Sequence, residues 1–176
     1  DLRFNPGGVL DAAVNVSDMF LTEGERIVSV KGRTVSEKVH RATDKTVLTD
    51  LPVVVLANEA SASAAEIVTG ALKDNDRAFV VGTRTFGKGS VQELRMLESN
   101  QGALKITNAY YYLPSGRNIH RRGDSDTWGV DPSEGAYVPM SQDQISEMIE
   151  IRREREVLRR DRGNGETNGS AGAGQS

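Results

Sequence analysis

The feature that most restricts this chain is a helix bracketed by two apolar runs. PVVVLAN (Pro52 to Asn58) and RAFVVG (Arg77 to Gly82) are short, β-branched and nearly free of polar residues, the pattern of buried strands. Between them, AAEIVTGALKD (Ala64 to Asp74) carries Ile67, Val68, Ala71 and Leu72 at helical spacing, and Asn75-Asp76 ends it. A strand, a helix and a strand in that order predict parallel pairing through a right-handed crossover. Strands this uniformly apolar are expected to be covered on both faces. The expected fold class is therefore α/β with a mixed sheet core, and 176 residues suffice for one domain with a real core.

The junction between the first strand and the helix has chemical consequences. In ASASAAE, Ser63 stands where the chain enters the helix. Peptide N–H groups there lack intrahelical partners, and the helix dipole favours negative charge. Such a place can hold a nucleophile and stabilise the oxyanion that forms when it attacks a carbonyl. Ala60, Ala62, Ala64 and Ala65 leave room for a substrate backbone. Ser63-x-x-Glu66 is equally a capping box, in which the serine merely caps the helix. The segment alone does not separate the two readings.

A serine hydroxyl needs a base, and Lys88 between Gly87 and Gly89 is the candidate. It would have to lose its proton near neutral pH, which burial or the positive end of a helix promotes; otherwise it is a solvated loop lysine. Gly82-Thr-Arg-Thr-Phe-Gly87-Lys88 also fits the opening of a phosphate-binding loop. Gly89, however, replaces the hydroxyl residue that holds magnesium, and the following VQELRML reads as strand where such a loop opens a helix. If extended structure runs from Lys88 onward, Gln92 shares its face, and its side-chain amide can accept from the lysine and orient it.

The remaining segments narrow the function classes. A net charge of −3 supplies no basic field for nucleic acid. The absence of cysteine excludes a disulfide framework, a thiol nucleophile and a thiolate metal site. No apolar run is long enough to span a membrane. No secretory signal is visible, and a chain opening on Asp1 reads as a fragment of something longer. DLRFNPGG ends in a glycine turn, with a helix expected over VLDAAVNVSDMFL; such a turn can cradle an anion or simply connect elements. Two strands are expected around Lys31-Gly32-Arg33. His40 reads as a surface histidine, Arg117 as a structural salt-bridge partner, and His120 with Arg121 and Arg122 as part of a solvated loop. Of Tyr110, Tyr111 and Tyr112, at least one is expected in the core. Residues 1–140 form the expected core domain, Ser141 to Arg162 a charged helix opened by a Ser141/Gln144 capping box, and residues 163–176 a disordered Gly/Ser/Asn-rich tail.

ASASAAEIVTGALKDNDRAFVVGTRTFGKGSVQ, DLRFNPGG and YYYLPSGRNI together resemble the signatures of the carboxyl-terminal processing, or tail-specific, proteases; the likeness covers Asp1 to about Pro132. It implies a ClpP/crotonase-like α/β fold, incomplete here at its N-terminus. It further implies a Ser63–Lys88 dyad assisted by Gln92, favours Ser63 over Ser61, and maps the oxyanion donors onto the N–H of Ala64 and of Gly7 or Gly8. No cofactor is implied. The partners implied are polypeptide C-terminal tails, with a PDZ domain elsewhere in the protein and a location outside the cytoplasm or at the cell envelope. The chain departs from the family pattern at Gly129-Val-Asp-Pro132-Ser133, where relatives end the segment in Pro-Asp. A non-catalytic peptide- or ligand-binding module on the same fold is the alternative.

Overall fold

The computed structural model describes residues 1–44, 48, 50–98, 102–123 and 125–156. Its elements run α1 (Leu10–Asp18), β1 (Arg26–Lys31), β2 (Lys38–Arg41), β3 (Val53–Ala57), α2 (Ala64–Asp74), β4 (Ala78–Gly82), β5 (Ser90–Met96), β6 (Ala103–Tyr112) and α3 (Gln142–Glu156). The predicted crossover is present. β3 and β4 pair in parallel, from Val53 opposite Ala78 to Ala57 opposite Gly82, with α2 as the connection. The other four strands form an antiparallel sheet in the order β2-β1-β6-β5.

The main core lies between α2 and the strands. Ile67, Val68, Ala71 and Leu72, the periodic positions of α2, pack with Val55, Ala57 and Val80 of the parallel pair and with Ile27 and Val28 of β1. Leu113, Ile119 and Val130 form a second cluster, and Tyr111 packs against both. The far end of α2 is tied to β1 by Asn75, whose Nδ2 donates to the carbonyls of Arg26 (2.9 Å) and Ala71 (2.7 Å).

The expectation that β3 and β4 are covered on both faces needs correction. Val55 and Val80 are buried under α2, whereas Val54 and Phe79 are 58% and 50% exposed. Continuous apolar character reports that a strand avoids water; it cannot say which part of a protein covers the second face.

Asp1–Pro139 is one compact unit, and a second begins at Met140. Within the second, the Ser141 N–H donates to Gln144 Oε1 (2.8 Å) and the Gln144 N–H to Ser141 Oγ (3.3 Å), the reciprocal capping box that the sequence predicts. The expected end of this helix, residues 157–162, and the tail at 163–176 lie outside the described residues.

Candidate active site

The two serines of ASAS have different surroundings. Ser61 is fully buried. Its Oγ donates to the Leu2 carbonyl (2.7 Å) and accepts the Asn58 N–H (2.9 Å), so this hydroxyl is a tie between the N-terminal turn and the end of β3. Ser63 is half-buried. Its backbone sits at φ +55°, ψ −117°, a region that costs an L-residue about 1–3 kcal/mol and persists only where the surroundings impose it. Five residues, 58–62, separate the end of β3 from this strained serine at the entrance to α2.

Those surroundings come largely from DLRFNPGG. The Leu2 N–H donates to Leu56 O (2.8 Å), and the Ala62 N–H to Asn5 O (2.9 Å). The Phe4 N–H donates to Asn58 Oδ1 (2.9 Å). Gly7, at φ +95°, lies so close that an added Cβ would stand 2.5 Å from Ala62 O and 2.8 Å from both Ala64 N and Ser63 Cβ. Only glycine fits there, both for its φ and for its contact with the serine.

Glu66 joins the serine to the lysine. Its side chain is fully buried and accepts four hydrogen bonds. Oε2 takes the N–H of Ser63 (2.8 Å) and of Lys88 (2.7 Å); Oε1 takes the N–H of Gly87 (2.6 Å) and the Thr85 hydroxyl (2.6 Å). The nitrogens of Ser63 and Lys88 are therefore no more than about 5.5 Å apart (2.8 Å plus 2.7 Å). A buried carboxylate is tolerated when its oxygens are saturated in this way. The capping-box signature announced only the Ser63 bond; the three bonds from residues 85–88 have no signal in the sequence.

The glycine-flanked lysine loop is clamped from its other side. The Arg121 N–H donates to Gly87 O (2.8 Å) and the Tyr111 N–H to Gly89 O (2.8 Å). An added Cβ on Gly87 would meet Trp128 at 2.7 Å, and one on Gly89 would meet the His120 nitrogen at 2.6 Å. The Thr85 hydroxyl also accepts the Val130 N–H (2.7 Å), linking this loop to the segment that departs from the family pattern. There, Ser133 Oγ accepts the Val80 N–H (2.9 Å) and fastens the segment to β4.

The side chains of the proposed base and its helper are less constrained than their backbones. Lys88 is exposed, contrary to the burial that a neutral amine would favour, and no hydrogen bond joins it to Ser63 among the described residues. β5 begins at Ser90, two residues after Lys88, so the extended run that would align Gln92 with it is incomplete. The Gln92 amide instead donates to Thr107 Oγ1 at 3.5 Å. The strand after Lys88 removes the phosphate-loop reading, which requires a helix there.

The two candidate oxyanion glycines also differ. The Gly7 N–H is taken by Asn5 Oδ1 (2.9 Å). The N–H groups of Gly8 and Ala64 make no hydrogen bond among the described residues, and both residues line one hollow of about 170 Å³ with Val9, Ala12, Ala65 and Val68.

Other residues fall into structural roles. Arg117 and Arg84 both pair with Asp131, as the salt-bridge reading of Arg117 expects. His120 is not simply a solvated loop residue: it is half-buried, its ring lies 5.1 Å from that of Tyr110, and its Nδ1 is buried without a partner among the described residues. Among the described residues, no group of three or more His, Asp or Glu could hold a metal ion.

Comparison with known proteins matches residues 1–133 to the model of peptidase family S41. A carboxy-terminal-processing protease of Bartonella bacilliformis is 52% identical over 124 residues, covering 70% of this chain and 28% of that protein. A probable CtpA-like serine protease of Staphylococcus haemolyticus is 40% identical over 124 residues, covering 70% of this chain and 25% of that protein. Among solved structures, the photosystem II D1 C-terminal processing protease superposes with a TM-score of 0.70 at 33% identity, over 79% of this chain and 33% of that one. The chain thus spans about a quarter to a third of the length of these relatives.

Proposed function

Because the chain belongs to peptidase family S41, we propose that the protein containing it is a serine endopeptidase that cleaves polypeptides near their C-termini, with Ser63 as nucleophile and Lys88 as base. The observation carrying this reading is the single Glu66 oxygen that holds the amides of both residues. It keeps the strained serine and the glycine-flanked lysine adjacent, although they stand 25 positions apart in sequence.

In this reaction the Ser63 Oγ attacks the scissile carbonyl carbon while the neutral Lys88 amine takes its proton. The carbonyl electrons move to oxygen, and the N–H groups of Ala64 and Gly8 receive the oxyanion. Gly8 is preferred to Gly7 because the Gly7 amide already serves Asn5. Lys88 then returns the proton to the departing nitrogen as the C–N bond breaks. Water, deprotonated by the same amine, releases the acyl group. Gln92 orients Lys88 once its side chain turns from Thr107. The hollow beside Gly8 and Ala64 suits a small or branched apolar side chain on the acyl side of the cleaved bond.

The test is labelling of the full-length protein with a serine-reactive phosphonate, followed by mapping of the modified peptide. The expected label sits on Ser63, and Ser63→Ala abolishes both labelling and turnover. A label elsewhere, or near-normal cleavage by Ser63→Ala, overturns the assignment. The exposed Lys88 side chain, without a bond to Ser63, favours a second reading, a non-catalytic peptide-binding module. Peptide binding without turnover in the full-length protein is its signature.

A further inference from the structure

Four arginines lie at or near the lysine loop, and two of them share a single carboxylate. Arg84 and Arg117 share the Asp131 carboxylate. Arg121 and Arg122 make no salt bridge among the described residues and are exposed. Each nevertheless lies against an aromatic ring. The Arg121 guanidinium sits 4.5 Å from the centroid of Trp128, an indole that also holds Arg84 at 4.5 Å. Arg122 sits 5.4 Å from the centroid of Tyr110. A guanidinium held against a ring keeps the N–H groups turned away from that ring available, and the contact limits the orientations it samples. That suits an edge-on, two-bond approach by a carboxylate.

Their place in the site identifies the carboxylate. The Arg121 N–H donates to Gly87 O, and an added Cβ on Gly87 would lie 2.8 Å from Arg121 Cβ, so this segment flanks Lys88 itself. In the reaction proposed above, Lys88 hands a proton to the departing nitrogen. Side chains bordering the lysine loop therefore border the departing part of the substrate, which ends in a free carboxylate when cleavage is close to the C-terminus. We propose that Arg121 and Arg122 form a carboxylate-binding subsite for the departing segment, reading its terminal carboxylate or an acidic side chain within it. This rests on the protease reading for its orientation.

Binding is measured on full-length Ser63→Ala protein with fluorescent peptides, so that no turnover is needed. The peptides end in a free acid or an amide, and carry Glu or Gln in the segment after the cleavage point. The expected result is binding about three- to tenfold tighter for the free acid, the Glu peptide or both, with the preference weakening as salt rises. The free-acid/amide and Glu/Gln pairs tell the two carboxylate sources apart. Arg121→Gln with Arg122→Gln lowers the ratios; Arg122→Gln alone, which leaves the Arg121–Trp128 contact untouched, lowers them in part. Equal binding of all peptides by the Ser63→Ala protein, or ratios that the double substitution leaves unchanged, overturns the proposal. Failure of the unsubstituted protein to cleave any peptide overturns the protease reading, and the binding comparison remains readable.

Discussion

Ser63 and Lys88 bind the same atom: their backbone N–H groups donate to Glu66 Oε2 at 2.8 and 2.7 Å. The distance between the two is therefore governed by one buried carboxylate, while the serine's backbone strain is held by the glycine turn on its other side. Two loops far apart in sequence are joined before any side chain of the proposed dyad is considered.

Glu66→Gln tests that unit. The amide has one acceptor oxygen and places an NH₂ among donors that now face a carboxylate, so at least two of the four donors lose their partner. The expected cost is about 2–6 kcal/mol of stability, at about 1–3 kcal/mol for each orphaned donor, read by chemical denaturation. A drop in kcat exceeding any change in KM is expected where the fold survives. Unchanged stability together with unchanged kcat would show that the lysine loop is held by other means.

Substitution of Ser63 should separate strain from chemistry. Glycine adopts φ +55°, ψ −117° without the steric cost borne by serine or alanine. Ser63→Gly is therefore expected to be more stable than Ser63→Ala by about 1 kcal/mol, net of the entropy that glycine loses on folding, with both variants inactive. Thermal melts of the pair read the difference; equal or reversed stabilities would mean that the strain is absent in solution.

His40 sets a modest acid dependence of stability. Partial burial, with Lys38 adding to it and Asp11 opposing, lowers its pKa below the ordinary 6.5. The unfolded chain thus binds the proton more readily than the folded one. The contribution to stability is present above pH 6.5 and is lost as pH falls through the lowered folded pKa. His40→Gln should reduce the loss of stability between pH about 7.5 and pH about 5, measured by denaturant titration at both. An identical loss in parent and variant would remove His40 from the account.

Much of the framework was legible from local pattern. α2 occupies Ala64–Asp74 as its periodicity predicts, β3 and β4 are parallel as the crossover requires, and Ser63 stands at the helix entrance. These follow from 3.6- and 2-residue repeats and from chain chirality, which need only a few neighbouring residues. Three things required the folded chain. Ser61 and Ser63 look equivalent in ASAS until one hydroxyl is buried against Leu2 and Asn58 and the other residue is strained over Gly7. Gly7 and Gly8 look equivalent until Asn5 takes the amide of the first, which alone packs against Ala62 and Ser63. Glu66 reads as a cap until residues 85–88 arrive to share its oxygens. Hydrophobic spacing is written along the chain; the pairing of buried polar groups is decided between segments, because each donor takes whichever acceptor the packing of distant residues brings within reach.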